Sequence, residues 1–426
     1  MRIEQMRVTP IALIDPPLRS AFGLHAPYAL RTIVELTTDD GRTGISETHG
    51  GEAVVRDLEA VRPLVVGMDP YQLSRLEYTL EGGSLSGDAE SLPWEGKLGS
   101  AARTFGAIEV ACFDLIGQAV GRPLCDLLGG RFRSEVPFSA YLFYKHQGAG
   151  GEDGLETASR AARDRDDFLV RPALSAELLT AQAVDMCAAY GFKSVKLKAG
   201  VLPPDEEVRT IFALREAFGP DTPLRIDPNA CWTAQTAIEQ GRKMAGVLEY
   251  YEDPVKGKQT MADVALQVPM PLATNMCCVS FADMPETIRL NSIQILLSDH
   301  HIWGGLLNSV KVARMCQALG WGLSMHSNSH LGISLLAMTH LAAAIPNLTY
   351  ACDTHYPWQV EEVLKGGKLQ FKDGSLPVPT APGLGASIDP DRLAELHENY
   401  LRADLAFRDD IKEMQKIEPG WKPRIW

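Results

Sequence analysis

The sequence of 426 residues lacks several features that would assign it to a specialised class of protein. Its eight cysteines form no CxxC pair, so neither a cysteine-ligated metal site nor a dithiol redox centre is indicated. There is no run of the roughly 18 apolar residues that a membrane-spanning helix needs. The first 17 residues carry four charges and no apolar core, unlike a secretory signal. We therefore expect a soluble protein of the cytoplasm.

Positive charge is also scarce in this sequence. The 54 acidic residues outnumber the 41 lysine and arginine residues, which gives a formal net charge of −13. Because nucleic-acid phosphates are bound by clustered lysine and arginine, this balance argues against a nucleic-acid partner. The content of hydrophobic residues, 45%, is that of an ordinary globular protein, and the length favours two packed domains. A dianionic ligand would need local cations to overcome the acidic surface.

Hydrophobic patterning divides the chain into three stretches. The first, residues 1–130, begins with strand-like alternation that includes a hairpin at Asp39-Asp40-Gly41, and then changes to helical spacing, most clearly from Ala107 to Gln118. Strands followed by helices predict a small α+β domain. The last stretch, residues 357–426, contains a polar helix from Pro390 to Leu401 and is predicted to return to the first domain, so that the two together cap the middle stretch.

The middle stretch, residues 131–356, alternates short strand-like runs with helical runs. Eight such units predict an α/β fold with a parallel (β/α) barrel of the TIM type, since an open sheet would also need a glycine-rich first turn. A glycine-rich, charged segment at 147–168 is predicted to be an insertion. Helices are predicted over 181–189, 206–218, 233–244, 306–319 and 333–344. The predicted strands span 137–144, 194–198, 224–227, 248–252, 271–275, 293–299, 322–326 and 350–353.

Three consecutive predicted strands end in an oxygen-bearing side chain, namely Asp227, Glu252 and Asn275. Successive members are 25 and 23 residues apart, one βα unit each, which places them side by side at the barrel mouth. One acidic residue before proline is equally typical of a helix cap, but three in register on adjacent strands favour a shared site. Hard oxygen ligands, two of them anionic, suit Mg²⁺. The sequence therefore predicts a magnesium site.

Two amines and an imidazole are predicted to flank that site. Lys196 and Lys198 alternate on the preceding strand, so both point into the barrel mouth. A lysine beside a second cation and a metal has its charged form disfavoured and can serve as a base. Asp299 and His326 end strands one unit apart, so the carboxylate can accept a hydrogen bond from one imidazole nitrogen and leave the other to transfer a proton. We predict that all four residues are catalytic.

These groups predict removal of a proton next to a carboxylate. A metal and Lys196 would neutralise the carboxylate and stabilise the ene-diolate that forms. Lys198 and His326 would face the reacting carbon from its two sides. A hydroxyl on the next carbon can then leave with the help of an acid, which is β-elimination of water. Two bases facing one carbon also permit epimerisation, so both outcomes stay open.

The constellation resembles the enolase superfamily, and specifically its glucarate dehydratase subgroup, along nearly the whole chain. The matching motifs are Lys196-Leu-Lys198, Asp227-Pro-Asn229, Glu252-Asp-Pro254, Ala273-Thr-Asn-Met276, Asp299, His326-Ser-Asn328, His330 and Ile333-Ser334. The resemblance implies Mg²⁺-dependent dehydration of an acid sugar dicarboxylate, with D-glucarate giving 5-dehydro-4-deoxy-D-glucarate. It also implies that the sugar acid is bound by His25, Tyr141, Lys196, Asn229, Asn275, Ser327, Asn328, His355 and Arg408.

The sequence departs from the subgroup in the first-domain loops that close over the site. Glu95, two residues before Lys97, stands where the family has a substrate-contacting threonine, and Tyr28-Ala-Leu-Arg-Thr32 replaces an aromatic pair followed by Arg-Asn. Dehydration or epimerisation of another diacid, such as galactarate or idarate, is therefore an alternative, as is a catalytically weak paralogue. Because closed symmetric assemblies are common among soluble enzymes, we also expect a homo-oligomer.

Overall fold

The computed structural model describes residues 1–82, 100–148, 150 and 167–426. Most of the predicted insertion at 147–168, and the loop that contains Glu95 and Lys97, lie outside the described residues. Among the described residues, no helix is long and apolar enough to cross a membrane. All eight cysteines are free thiols and seven of them are buried, as expected for thiols that fill the core.

The first domain is an antiparallel sheet covered by helices, and its predicted hairpin and long helix are confirmed. Strand β4 pairs with β1 on one side and with β5 on the other. Helix α3 lies so close to β5 that a side chain on Gly44 would collide with the carbonyl oxygen of Ala111. The elements are β1 (Ile3–Ile14), β2 (Arg19–Ser20), β3 (Gly23–Leu24), β4 (Tyr28–Thr38), β5 (Thr43–His49), α1 (Glu52–Val65), α2 (Leu73–Gly82), α3 (Ser100–Val120) and α4 (Leu124–Leu127).

The second part is a parallel sheet that curls into a barrel, and all eight predicted strands are present in it. Its strands follow one another in chain order from β6 to β12, and β13 pairs with β6. The side chain of Ser324 donates to the carbonyl of Ala351 at 2.9 Å, which links the last two strands. The strands are β6 (Glu135–Phe143), β7 (Val195–Lys198), β8 (Leu224–Asp227), β9 (Tyr250–Glu252), β10 (Leu272–Thr274), β11 (Ile295–Ser298), β12 (Gly322–Met325) and β13 (Cys352–Thr354).

Helices connect these strands, and their ends follow ordinary capping chemistry. The first of them begins at Ser175, whose hydroxyl accepts from the amide of Leu178, and ends at Gly191 in the left-handed region. Two short helices, α8 and α9, were not predicted. The connecting helices are α5 (Ala176–Tyr190), α6 (Pro204–Phe218), α7 (Ala234–Lys243), α8 (Lys258–Ala265), α9 (Met284–Leu290), α10 (Leu306–Leu319) and α11 (Gly332–Ala344).

The chain after the barrel returns to the first domain, as predicted. His397 Nδ1 lies 2.7 Å from the carbonyl oxygen of Pro10, and Glu361 accepts a hydrogen bond from the amide of Ile14 at 2.7 Å. The segment also adds an unpredicted antiparallel strand to β6. The boundaries at residues 130 and 356 stay a prediction. The elements of this segment are a 3₁₀ turn (Tyr356–Trp358), β14 (Ser375–Pro377), α12 (Pro390–Ala403) and α13 (Asp410–Ile417).

Glu47 of β5 ties the first domain to the barrel. Its carboxylate accepts from Arg31 Nε at 2.7 Å, from the amide of Leu331 at 2.9 Å and from the amide of Ser334 at 2.9 Å. The ion pair is buried, with side chains 2% and 0% exposed. Removing one member of such a pair leaves the other charged and out of water.

Replacing Glu47 with alanine is expected to lower the free energy of unfolding by about 3–5 kcal/mol, because Arg31 and two amides lose their acceptor. Urea unfolding followed by circular dichroism measures the change. The matched control is Glu206→Ala, whose partner Arg209 lies 3.9 Å away at the surface. That control should cost less than about 1 kcal/mol. Equal losses in the two variants would contradict the role of Glu47.

Glu109 of α3 makes a second connection, because it caps the barrel helix α10. Its carboxylate accepts from the amides of Leu306 and Leu307, the first two residues of that helix. Burial raises the pKa of Glu109 to about 8, although the two amides favour the charged form. The folded protein therefore holds a proton here that the unfolded chain has lost at neutral pH.

This proton predicts a pH dependence of stability. Since the folded pKa of Glu109 lies above the unfolded value of 4.5, its stabilising contribution is complete at low pH and is lost as the pH rises toward about 8. We expect the Glu109→Gln variant to gain stability relative to the wild type between about pH 5 and pH 8. Unfolding both proteins in urea at several pH values measures the difference. A difference that does not change with pH would refute the assignment.

Candidate active site

A cavity of about 550 Å³ lies where the carboxyl ends of the barrel strands meet the first domain and the C-terminal segment. Its size and mixed lining are typical of a site for a small molecule. Lys196, Asp227, Glu252 and Asp299 do not line it, but are buried. The predicted site residues that line the cavity are His25, Tyr141, Lys198, Asn229, Asn275, His326, Ser327, Asn328, His355 and Arg408.

Strand register brings the predicted side chains together. Lys198, Asp227 and Glu252 are the last residues of β7, β8 and β9, and Asn275 and His326 directly follow β10 and β12. Within the sheet, Lys198 is the register partner of Asp227. Because parallel strands present their carboxyl ends at the same edge, these side chains share one end of the barrel.

A cluster of buried charges lies at that end. The ammonium of Lys196 donates to Glu252 Oε1 and to Asp353 Oδ2, both at 2.6 Å, and is 3.9 Å from Asp227 Oδ2. Asn275 Nδ2 donates to the same Glu252 oxygen at 2.9 Å. Two of the three predicted metal ligands therefore lie around one ammonium group, and the third is hydrogen-bonded to Glu252. Their role as ligands stays a prediction.

The oxygen donors of this cluster fit a divalent cation. Three buried carboxylates, those of Asp227, Glu252 and Asp353, lie against two ammonium groups, and the guanidinium of Arg225 is 3.8 Å from Asp353. Burial raises the pKa of Glu252 well above its usual range, and the two neighbouring carboxylates add to the increase against the opposing effect of Lys196. A bound cation would favour the ionised form of Glu252, which burial and the neighbouring carboxylates disfavour. The donor set is also suitable, because a half-turn of the Asn275 amide would present its oxygen beside Glu252.

Lys198 is paired with one of the predicted metal ligands. Burial by itself would lower the pKa of its amine, but the ion pair with Asp227, at 2.6 Å, outweighs burial and raises the pKa. The charged form is therefore favoured by the contact with Asp227, and the loss of charge expected beside a second cation and a metal stays a prediction. Lys198 can act as a base only after its ammonium group has lost a proton, and the ion pair with Asp227 opposes that loss.

The predicted pair of Asp299 and His326 is present. Nδ1 of His326 lies 3.0 Å from Asp299 Oδ2, which leaves Nε2 for the cavity that the ring lines. Burial would raise the pKa of Asp299, but hydrogen bonds and charge from His301 and His326 hold it well below the usual range. Asp299 is thus ionised and accepts the hydrogen bond that orients the imidazole.

Another buried carboxylate, that of Asp15, organises three of the predicted sugar contacts. It accepts from His25 Nδ1 at 3.0 Å and from Arg408 Nη1 at 2.8 Å, and its second oxygen is 3.8 Å from His355 Nε2. Arg408 also makes two hydrogen bonds to Asp410, at 2.6 and 2.7 Å. One end of the cavity therefore carries cationic and neutral donors from three separate parts of the chain.

No role was predicted for Asp15, His301 or Asp353, although each contacts a predicted residue. Asp353 carries the same signal as the metal ligands, an acidic residue at a predicted strand end, and could have been found. His301 follows Asp299 by two residues, within the polar run Asp299-His-His301. Asp15 has no local signal, because its partner Arg408 lies 393 residues away in the chain.

Both parts of the chain match family models. Residues 2–129 match the mandelate racemase / muconate lactonizing enzyme N-terminal domain, and residues 178–392 match the enolase C-terminal domain-like family. A (β/α) barrel with an α+β cap and a cavity of mixed lining between them defines an enolase-type barrel protein. The chain belongs to the enolase superfamily.

Relatives with high sequence identity support the assignment of this protein as an enzyme. A probable glucarate dehydratase of Streptomyces coelicolor is 42% identical over 99% of this chain and 97% of its own. An enolase of Thermobispora bispora, crystallised with magnesium and formate, is 48% identical with a TM-score of 0.93 over 100% of both chains. An enolase of Pseudomonas fluorescens, crystallised with magnesium, potassium and tartrate, is 45% identical with a TM-score of 0.91 over 99% of this chain and 98% of that chain.

Proposed function

We propose that the protein is a Mg²⁺-dependent hydro-lyase that removes water from an acid sugar dicarboxylate, with D-glucarate as the first candidate. The observation that carries the proposal is the presence of the Lys198 amine and the His326 imidazole in one cavity beside a buried acidic cluster. The similarity to a probable glucarate dehydratase supports the substrate class. Residues 1–130 and 357–426 would cap the catalytic barrel, and we propose a cytoplasmic homo-oligomer.

The acidic cluster would hold the metal ion. Asp227, Glu252 and Asn275 would bind Mg²⁺, which supplies positive charge that stabilises the anion formed at the substrate carboxylate. Lys196 would add a hydrogen bond to the same carboxylate, and Asp353 keeps its ammonium in place at 2.6 Å. Binding of the ion by Asp227 would also free Lys198 from its ion pair.

The cavity groups would carry the proton steps. Lys198 or His326 takes the proton from the carbon next to the bound carboxylate, and the electron pair of that C–H bond passes into the carboxylate as an ene-diolate. When the anion collapses, the C–O bond of the next carbon breaks and an acid in the cavity protonates the departing hydroxide to water. The enol that remains becomes a 2-keto acid. His25, His355 and Arg408 would bind the second carboxylate and fix which carbon reacts.

The test is incubation of the protein with Mg²⁺ and a panel of acid sugars in deuterium oxide. The panel contains D-glucarate, L-idarate, galactarate and the monoacid D-gluconate. We expect a 2-keto acid from at least one diacid, and none after chelation of the metal. Deuterium incorporation without keto-acid formation would show that the protein epimerises the acid sugar and does not dehydrate it. If no member of the panel shows either deuterium exchange or keto-acid formation, the proposal is refuted.

A further inference from the structure

His301 contacts the face of Asp299 that His326 does not use. Oδ2 of Asp299 accepts from His326 Nδ1 at 3.0 Å. Oδ1 accepts from the ring Nδ1 and from the backbone amide of His301, both at 2.9 Å. Because the pKa of Asp299 lies well below its usual range, both oxygens are acceptors and the ring Nδ1 must be the donor. Donors on both oxygens therefore hold the carboxylate in one plane.

The far side of the His301 ring is anchored by the first domain and by the barrel. Its Nε2 lies 3.0 Å from Ser334 Oγ on α11, which can donate to that nitrogen when it carries no proton, and 3.0 Å from the carbonyl oxygen of Glu47 on β5. His301 is 3% exposed, Glu47 2% and Ser334 0%. The ring therefore cannot turn without breaking contacts on both of its nitrogens.

No other described side chain can replace His301 as a donor to Asp299. The nearest candidate is His330, whose Nε2 is 4.0 Å from Asp299 Oδ2, too far for a hydrogen bond. The ring of His300 packs 4.0 Å from that of His301, centroid to centroid, but its Nε2 has no hydrogen-bond partner among the described residues. The contact between His301 and Asp299 is thus specific.

We propose that His301 is a positioning residue that fixes the carboxylate of Asp299 so that it can orient His326. The inference rests on the proposed function, in which His326 transfers a proton. Without the His301 side chain, Oδ1 loses one of its two donors and keeps only the backbone amide, so the carboxylate is held less firmly against rotation about its Cβ–Cγ bond. A rotated carboxylate no longer meets His326 Nδ1 in line, so fewer imidazole rings point Nε2 at the substrate.

Two conservative variants separate this role from simple filling of space. In His301→Asn, the side-chain amide nitrogen takes the place of Nδ1 and still donates to Asp299. In His301→Gln, the longer side chain places its amide nitrogen near Glu47 and Ser334, and Asp299 loses the side-chain donor. We expect His301→Gln to lower kcat on the best diacid by about 10–100-fold, with KM changed less than about threefold. His301→Asn should stay within about threefold of the wild-type kcat. The matched control is His397→Gln on α12, whose Nδ1 lies 2.7 Å from the carbonyl oxygen of Pro10 and which does not line the cavity; it should behave as the wild type.

A crystal structure of each variant gives a readout that needs no turnover. In His301→Gln the distance from Asp299 to His326 Nδ1 should exceed hydrogen-bond range, and in His301→Asn it should remain near 3.0 Å. The same kcat in the two variants, or an unmoved carboxylate in both structures, would overturn the inference. A wild type that dehydrates no acid sugar would refute the proposed function alone, and the two structures would still decide whether His301 positions Asp299.

Discussion

Replacement of Lys198 with methionine is expected to lower kcat on the best diacid by about 10²–10⁴-fold, the range that one proton-transfer group contributes. Methionine keeps the length of the side chain but removes the amine that lies in the cavity. The measurement is the steady-state rate of keto-acid formation. A kcat unchanged from the wild type would exclude Lys198 from the reaction and support a weakly active paralogue.

Two comparisons isolate the chemical effect of this substitution. Lys193→Met removes an exposed lysine just before β7 and should leave kcat unchanged. Because Lys198 also forms an ion pair with Asp227, the substitution could disturb the metal site. A thermal unfolding assay checks this, and we expect Mg²⁺ to stabilise the variant as it does the wild type. Loss of that stabilisation would mean that the substitution acts through the metal site and not through proton transfer.

Replacement of Glu252 with glutamine is expected to weaken Mg²⁺ binding by on the order of 100-fold, because a charged oxygen ligand becomes a neutral amide. At a Mg²⁺ concentration 100 times its own Kd, the wild type should gain about 2.7 kcal/mol of stability, and the variant only a small part of this. Urea unfolding with and without Mg²⁺ measures the gain, and keto-acid formation measures the parallel loss of turnover.

The stability of Glu252→Gln without Mg²⁺ shows whether the substitution disturbs the fold itself. Burial raises the pKa of Glu252, so a neutral amide at this position should not destabilise the fold, and Lys196 keeps its hydrogen bond to Asp353. The matched control is Glu216→Gln, on the exposed side of α6, which should show the full gain with Mg²⁺. An equal gain in Glu252→Gln would exclude Glu252 as a ligand.

The barrel was predictable because its signals are local. Strand β8 and helix α10 begin and end at the predicted residues, since β8 alternates apolar and polar residues up to Asp227 and α10 has helical apolar spacing that ends at Gly320. Strand β14 was missed because its three residues show no alternation, and its pairing depends on Pro137, far away in the chain. The short helices α8 and α9 were missed because seven or eight residues give too little periodicity.

In the site, too, features with a local sequence signal could be predicted and contacts between distant parts of the chain could not. Asp227, Glu252 and Asn275 repeat one signal at one spacing, so their proximity could be predicted. The protonation of Lys198 could not, because it depends on a 2.6 Å contact with Asp227 that competes with burial. The contacts of Asp15 with Arg408 and of His301 with Glu47 depend on folding of the first domain and the C-terminal segment against the barrel. No local pattern in the sequence encodes those contacts.

A crystal structure of the wild type with Mg²⁺ and an unreactive acid sugar tests the central geometry most directly. We predict that one oxygen from each of Asp227, Glu252 and Asn275 lies about 2.0–2.1 Å from the ion. The carbon next to the coordinated carboxylate should then lie between the Lys198 amine and His326 Nε2. A cation bound elsewhere, with Asp227 still paired to Lys198 and Glu252 to Lys196, would contradict this account of the protein.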